Sequence, residues 1–319
     1  MIWRVSLARA KLTGRMRDFA PLATLVVLVA VVAGFAPAFL SVDTLLLLGA
    51  DTATLFIMAA GLTWVVLLGG IDLSVQALAS LASVVLAGTV RALGPLAIVA
   101  AILVGVLAGI VSGIAQTRFR IPSFIATLAV SGIAAAAALV LSGTRSVPLP
   151  PGALGWITGT TLGIPHEIPI ALLVLVFCIV IQRATVFGRW TIAVGAGEPA
   201  ALVAGVPIER VKVFALILSG ALACVSGVVL AARLASGSPT LADQFLLPAV
   251  AAVCVGGTAL TGGVGGVERT LVGALIVSVV RVGMTFIGVD VFAQQIVFGA
   301  VLIVAVAMTI DRSKIPIVK

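Results

Sequence analysis

There is no tyrosine in this chain, no asparagine, and a single histidine, His166. One histidine excludes a His-based metal cluster. Without tyrosine, any belt of interfacial aromatics must come from the four Trp and thirteen Phe, with Trp64 and Trp190 suited to the inner interface. Cys178, Cys224 and Cys254 each lie inside an apolar run with no paired spacing. They read as small core residues, not as disulfide partners or metal ligands. Charge is scarce as well, at 9% of residues, where a soluble domain carries roughly a quarter. No Gly-Lys pair occurs, so a Walker A phosphate loop is excluded and any ATP hydrolysis belongs to a separate subunit. With no nucleophile–base pair either, neither an enzyme nor a bound cofactor or metal is expected.

What the chain has instead is aliphatic length. Hydrophobic residues make up 62% of 319, and the mean hydropathy is +1.34. Runs of about twenty apolar residues recur throughout, each enough to cross a hydrocarbon core of roughly 30 Å. They are continuous, without the period-2 alternation of a membrane barrel. The fold class is therefore all-α and polytopic. Ten spans are expected, at 20–40, 44–68, 72–91, 93–115, 122–142, 168–187, 212–235, 246–262, 268–288 and 291–310, the eighth short and broken by glycine. Residues 1–319 form one domain: a basic tail (1–19) with no cleavable signal, the bundle (20–310) and a second tail (311–319).

The net charge of +8 invites a nucleic-acid reading, but the charges fall between spans and at the ends. With the N-terminus inside, Arg4, Arg9, Lys11, Arg15, Arg17, Arg118, Arg120, Arg183, Arg189, Arg210, Lys212, Arg269, Arg312, Lys314 and Lys319 are all cytoplasmic. Arg91, Arg145 and Arg233 alone fall in outer loops, while Arg281 lies within the ninth span. The positive-inside rule places both termini in the cytoplasm. It also makes residues 184–212 a long inner loop, with a short Ala-rich helix expected from Pro199 to Ala204.

Sliding the chain against itself by 168 residues gives 15 identities over positions 69–133, including four Gly pairs (69/237, 88/256, 94/262, 105/273), Gln76/Gln244, Thr117/Thr285 and Phe124/Phe292. This shift moves a span five places on, which inverts its direction. Spans 2–5 and 7–10 thus form an inverted repeat of the kind found in transporters.

Several stretches bear on chemistry. In "GGIDLS", Gly69 and Gly70 permit the positive φ that ends a helix, and Asp72 is placed at the inner face to cap the next helix through Ser74 or Val75. An ion relay is the other reading of an intramembrane acid, but Asp72 has no charged neighbour within a helical turn. Gly256, Gly257, Gly262 and Gly263 mark a second break, followed by Glu268 near a helix start. "VGAGEPA" mimics a dinucleotide motif through Gly195, Gly197 and Ala200, yet a membrane span follows where a βαβ unit is required. Polar residues inside spans are few: Asp51, Gln76, Gln116, Thr127, Arg281, Gln294 and Gln295. Gln76, Thr127, Gln294 and Gln295 are candidates for a path lined with exchangeable hydrogen-bond partners. The alternative is interhelical packing glue.

The ordered stretches "GGIDLSV" (69–75), "RIPSFIATL" (120–128), "GRWTIAVGAGEPAALVAGVPIERVK" (188–212), "SGALACVSGVVLAARLASGSP" (219–239), "AVCVGGTALTGGVG" (252–265) and "QQIVFGAVLIVAV" (294–306) resemble the permease subunits of ABC importers for monosaccharides, the ribose, xylose, arabinose and galactose group. The resemblance covers nearly the whole chain. It implies a partner set of two ATPase subunits, a second permease copy or homologue and an extracellular or periplasmic sugar-binding protein. It also implies that the inner loop docks on the ATPase through Gly188, Arg189, Gly195, Glu198, Ala200, Ala201, Gly205, Arg210 and Lys212. The family usually reads Gly-Asn before the acid, and here Ala196-Gly197 stand there. Related importers of branched-chain amino acids or nucleosides are the nearest alternative. An ion-coupled carrier working alone is the rival from another class.

Overall fold

A computed structural model describes residues 21–309. The two basic tails read from the sequence lie outside the described residues. Among the described residues, seven helices are long and apolar enough to cross a membrane: α2 (Val42–Leu67), α3 (Val75–Leu93), α4 (Leu96–Arg118), α5 (Ser123–Ser142), α7 (Glu167–Ala184), α10 (Ile208–Arg233) and α12 (Val267–Phe286). Three further apolar helices are α1 (Pro21–Phe35), α11 (Leu246–Val255) and α13 (Val291–Thr309), whose apolar stretch Phe292–Val304 is short. These ten correspond to the ten expected spans. Two of those expectations were too long. The first helix stops before Pro37, where a 3-10 turn (Pro37–Leu40) begins, and the eighth ends at Val255, leaving 256–266 without regular helix.

Between the long helices lie α6 (Gly155–Thr158), α8 (Val186–Ala196), α9 (Glu198–Val203) and four two-residue strands. The strand Val147–Pro148 pairs antiparallel with Ser236–Gly237, and Thr160–Thr161 forms a hairpin with Ile164–Pro165. His166 closes that hairpin: its Nδ1 donates to the Trp156 carbonyl, which leaves Nε2 to accept from the Thr161 hydroxyl at 2.7 Å.

The two halves are visible in both spacing and packing. The starts of α2, α3, α4 and α5 at 42, 75, 96 and 123 recur at 208, 246, 267 and 291, within three residues of the 168 spacing. α10 packs on α4 and α3 just as α2 packs on α12 and α11, and α3 meets α4 and α5 just as α11 meets α12 and α13. Along the α2–α10 seam, Asp51 faces Arg233, Thr54 faces Ser226 and Gly61 faces Ser219. Numbers rise on one helix as they fall on the other, so the halves run in opposite directions.

The central seam is close-packed. A Cβ on Gly105 of α4 would lie 2.1 Å from the Gly220 carbonyl of α10, and one on Gly220 would lie 2.3 Å from the Gly105 carbonyl. Gly109 and Gly113 continue this face against Leu216 and Val213. Small residues every fourth position let two backbones touch, the main source of helix association where lipid is as apolar as leucine. Trp64 is fully buried against the Phe187 ring at 5.4 Å. It is a core residue, not the interfacial anchor its position suggested.

Candidate functional site: a glycine knot, an exposed elbow and a charged cleft

Two non-helical segments run back into the bundle from opposite ends. The first, residues 68–74, joins α2 to α3; the second, 234–245, joins α10 to α11. Asp72 in the first segment bonds Ser219, which lies roughly 16 Å along α10 at ~1.5 Å per residue. Asp72 therefore lies inside the bundle, 1% exposed, and not at the membrane face expected from the loop position. Its Oδ1 accepts from the Ser74 amide (2.8 Å) and hydroxyl (2.6 Å), and its Oδ2 accepts from Ser219 (2.7 Å).

Backbone at this depth needs partners, because lipid supplies none. Ile71 N–H donates to Ser123 Oγ and Leu73 N–H to Thr127 Oγ1. In the second segment, Ser238 N–H donates to Ser83 Oγ and Ala242 N–H to Ser80 Oγ. Gln295 Nε2 donates to the Gln244 carbonyl. Thr127 and Gln295 are 168 apart, so equivalent residues on α5 and α13 tether equivalent segments. Thr127, expected on a solute path, is fully buried and its hydroxyl holds the 71–73 backbone. Gln76 is half-buried at the start of α3, and Gln294 is 2% exposed, its amide donating to Thr285 Oγ1 and the Val289 carbonyl.

At the end of the bundle where α2 stops, two glycine turns meet Gly195 near the end of α8. The Gly263 amide donates to the Leu67 carbonyl at 2.9 Å. A Cβ on Gly195 would fall 1.9 Å from that same carbonyl and 2.5 Å from Gly263 N, while one on Gly262 would fall 2.8 Å from Gly69 N. Gly69 and Gly262 have φ of +75° and +84°, which L side chains rarely adopt. Gly70 packs on Val65, and Gly256 closes α11 ahead of Gly257, whose φ is +92°. The break in each half thus touches the other, with the 184–212 segment wedged against both.

That segment folds as an elbow. Gly188 lets α8 turn sharply after α7, since a Cβ there would meet the Gln182 carbonyl at 2.1 Å. α9 spans Glu198–Val203, one residue earlier than expected, with Gly197 as its N-cap and Pro199 in its first turn. Ala201 packs inward on Val194, Val206 and Val211, and Glu198 pairs with Lys212 at 2.6 Å. Gly205 ends the turn at φ +77°. Ala200, Arg189 and Arg210 face solvent, and Leu202 and Val203 are 65% and 90% exposed. Lysine and arginine gather at this end: Arg118, Arg120, Arg183, Arg189, Arg210, Lys212 and Arg269. Arg183 is ion-paired to Glu268.

The opposite end holds a charged cleft of about 260 Å³ between α2, α10, α11, α12 and α13. Asp51 is ion-paired there to both Arg281 and Arg233, the latter at 3.4 Å. Arg281 thereby has the acid its burial required, and it also lies 5.3 Å above the Phe245 ring. Arg233, assigned to an outer loop, is the last residue of α10. Asp51 and Arg281 stand out in the sequence as polar residues inside spans, but nothing local couples them to each other or to Arg233, 182 positions beyond Asp51. Among the described residues, no three His, Cys, Asp or Glu side chains gather to hold a metal ion.

Residues 44–306 match the family described as the branched-chain amino acid transport system / permease component. This chain belongs to that permease family. It is 38% identical over 313 residues to the ribose import permease of Bacillus subtilis (strain 168), covering 96% of each chain. It is 34% identical over 302 residues to the ribose import permease of Escherichia coli (strain K12), covering 92% of this chain and 93% of that one. The L-arabinose transport system permease of the same strain is 33% identical over 200 residues, 62% of this chain and 60% of its own. No solved structure matches significantly. The chain is a multi-pass membrane protein of a permease family.

Proposed function

We propose that the chain is the membrane-spanning permease of an ATP-binding cassette importer and that its solute is a monosaccharide. The observation that carries this reading is the elbow. An apolar ledge of Leu202 and Val203 stands exposed beyond any span, while its base at Gly195 abuts the breaks of both halves. A ledge of this kind, rimmed by charge on a short helix between spans, fits a protein contact. Seven cationic residues at its end of the bundle make that end cytoplasmic by the positive-inside rule, with both termini on the same side. The partner there is a pair of ATPase subunits; a second permease copy or homologue and an outer sugar-binding protein complete the assembly.

Transport then proceeds by alternating access. Closure of the ATPase pair on ATP shifts α9. Because Gly195 lies in backbone contact with Leu67 and Gly263 together, the push reaches α2 and the α11–α12 break at once. The two oppositely directed halves rock about their shared seam. Relatives named for ribose and arabinose favour sugar over the amino acid in the family's description.

Proteoliposomes holding the permease, its ATPase and its binding protein test this. ATP-driven uptake of labelled D-ribose, with L-leucine excluded, is expected, and leucine uptake in its place overturns the sugar reading. Val203→Glu, at a 90% exposed position, leaves stability within about 0.5 kcal/mol. It lowers ATPase co-purification and sugar-stimulated hydrolysis by on the order of tenfold, the loss of one interface anchor.

A further inference from the structure

Resting on that transport reading, we infer that the Asp51–Arg233–Arg281 cleft is a solute station built for a single polyhydroxylated sugar ring. Its volume, about 260 Å³, lies just below the roughly 300–1,000 Å³ of sites for drug-sized ligands, which suits one small sugar. Its position is at the end opposite the elbow, where α2 of one half meets α10, α11, α12 and α13 of the other.

The lining chemistry selects the occupant. Each guanidinium gives one N–H to Asp51 and has further donors left over. Gln295 spends its amide N–H on the Gln244 carbonyl, and Gln294 spends its own on Thr285 and Val289, so the carbonyl oxygen of each amide remains as an acceptor. Donors and acceptors therefore line the same small space. A hydroxyl is both donor and acceptor, so a ring carrying several of them satisfies both kinds at once. A phosphate or carboxylate would satisfy the arginines but would face Asp51 and two amide oxygens with acceptors of its own. An apolar solute would leave the spare arginine donors and the amide oxygens without a partner.

The cleft is also poised rather than sealed. Asp51, Arg233 and Arg281 side chains are 21%, 25% and 20% exposed. Asp51 sits on the first half, whereas both arginines sit on the second. A sugar bound between them bridges the surfaces that must part for the cycle to advance, and its hydroxyls take over hydrogen bonds that the ion pairs give up.

The test is sugar protection of a cysteine. Gln244→Cys places a thiol at the exposed rim, while Cys178, Cys224 and Cys254 are buried and silent. Leu162→Cys, at a 97% exposed loop position, is the control. In proteoliposomes, millimolar D-ribose is expected to slow alkylation at 244 by a membrane-impermeant maleimide about tenfold at ~90% occupancy, with no change at 162. Gln294→Leu in the same background restores the unprotected rate; should that variant fail to fold, Arg233→Gln at the rim does so. No protection at 244, or equal slowing at 162, overturns the inference. Stronger protection by ribose 5-phosphate than by ribose overturns it in favour of an anion site. ATP-driven uptake is scored in the same vesicles. Uptake without protection rejects the cleft alone, and protection without uptake rejects the transport reading alone.

Discussion

The two halves solve one geometrical problem with different chemistry. In the first half, α4 lies on α10 through glycine, backbone against backbone. In the second, the equivalent pair α12 on α2 is joined by polar contacts: Thr63 with Thr270 at 2.8 Å and Arg281 with Asp51. The same exchange occurs at the inward-running segments. Position 72 is Asp and its helix partner 219 is Ser; shifted by 168, position 240 is Thr and position 51 is Asp. Acid and hydroxyl have traded places. Asp72 is closed in by three hydrogen bonds, whereas Asp51 stays part-exposed beside two arginines. One half is built as a fixed wall, and its counterpart is left part-exposed and charged.

This contrast breaks most visibly at Gly105→Leu. A side chain at that position has no room, since its Cβ alone would sit 2.1 Å from a carbonyl. The helices must separate and the Gly109 and Gly113 contacts go with them, at a cost of ~3 kcal/mol or more. The expected result is no monodisperse peak in detergent size-exclusion. Gly299→Leu, where nothing lies within 4 Å of the added Cβ, is expected to behave as the parent. Equal behaviour of the two variants would contradict the fixed-wall picture.

Next in size is the acid swap. Asp72→Ala leaves the Ser74 amide and the Ser74 and Ser219 hydroxyls buried without their acceptor. At ~1–3 kcal/mol per orphaned group, the loss is about 3–5 kcal/mol once some hydroxyls rotate to other partners. Asp51→Asn keeps its shape and lies at a solvent-reached cleft, so about 1–2 kcal/mol is expected. Thermal unfolding of the two variants in matched nanodiscs ranks them. The reverse order would mean that the charged cleft, and not the buried cap, holds the halves together.

Much of this was legible in the sequence and some was not, for physical reasons. Apolar length fixes helix number, and glycine pairs 168 apart expose the repeat, because both are local or periodic properties. Depth is neither. Residues 68–74 and 234–245 carry the glycine, serine and aspartate of ordinary turns, so they read as surface loops; only the ring of serine and threonine hydroxyls accepting from their amides shows that they run inward. The hydroxyl of Thr127 looked available to solute because its partner lies 54 residues away. The stripe Gly105, Gly109, Gly113 was different: its spacing is a plain packing signal that could have been read. The Asp51 cluster had no such signal.

The smallest test addresses the polar seam itself. Thr63 Oγ1 lies 2.7 Å from the Ala59 carbonyl, so its one proton goes there and it accepts from Thr270. Thr270 then donates across the seam, and its longer 3.3 Å approach to the Gly266 carbonyl carries no proton. The repeat-equivalent residues on the α10–α4 pair are Ala231 and Ile102, whose side chains have no hydrogen bond to make. Thr270→Val therefore converts the second seam toward the first at a cost of ~0.6 kcal/mol, the average for interhelical bonds in a membrane. A double-mutant cycle of Thr63→Val and Thr270→Val, read by unfolding in detergent, should give a coupling of that size. A coupling of zero would mean that α2 and α12 are held by packing, as α10 and α4 are, and the chemical division between the halves would then rest on the charged cleft alone.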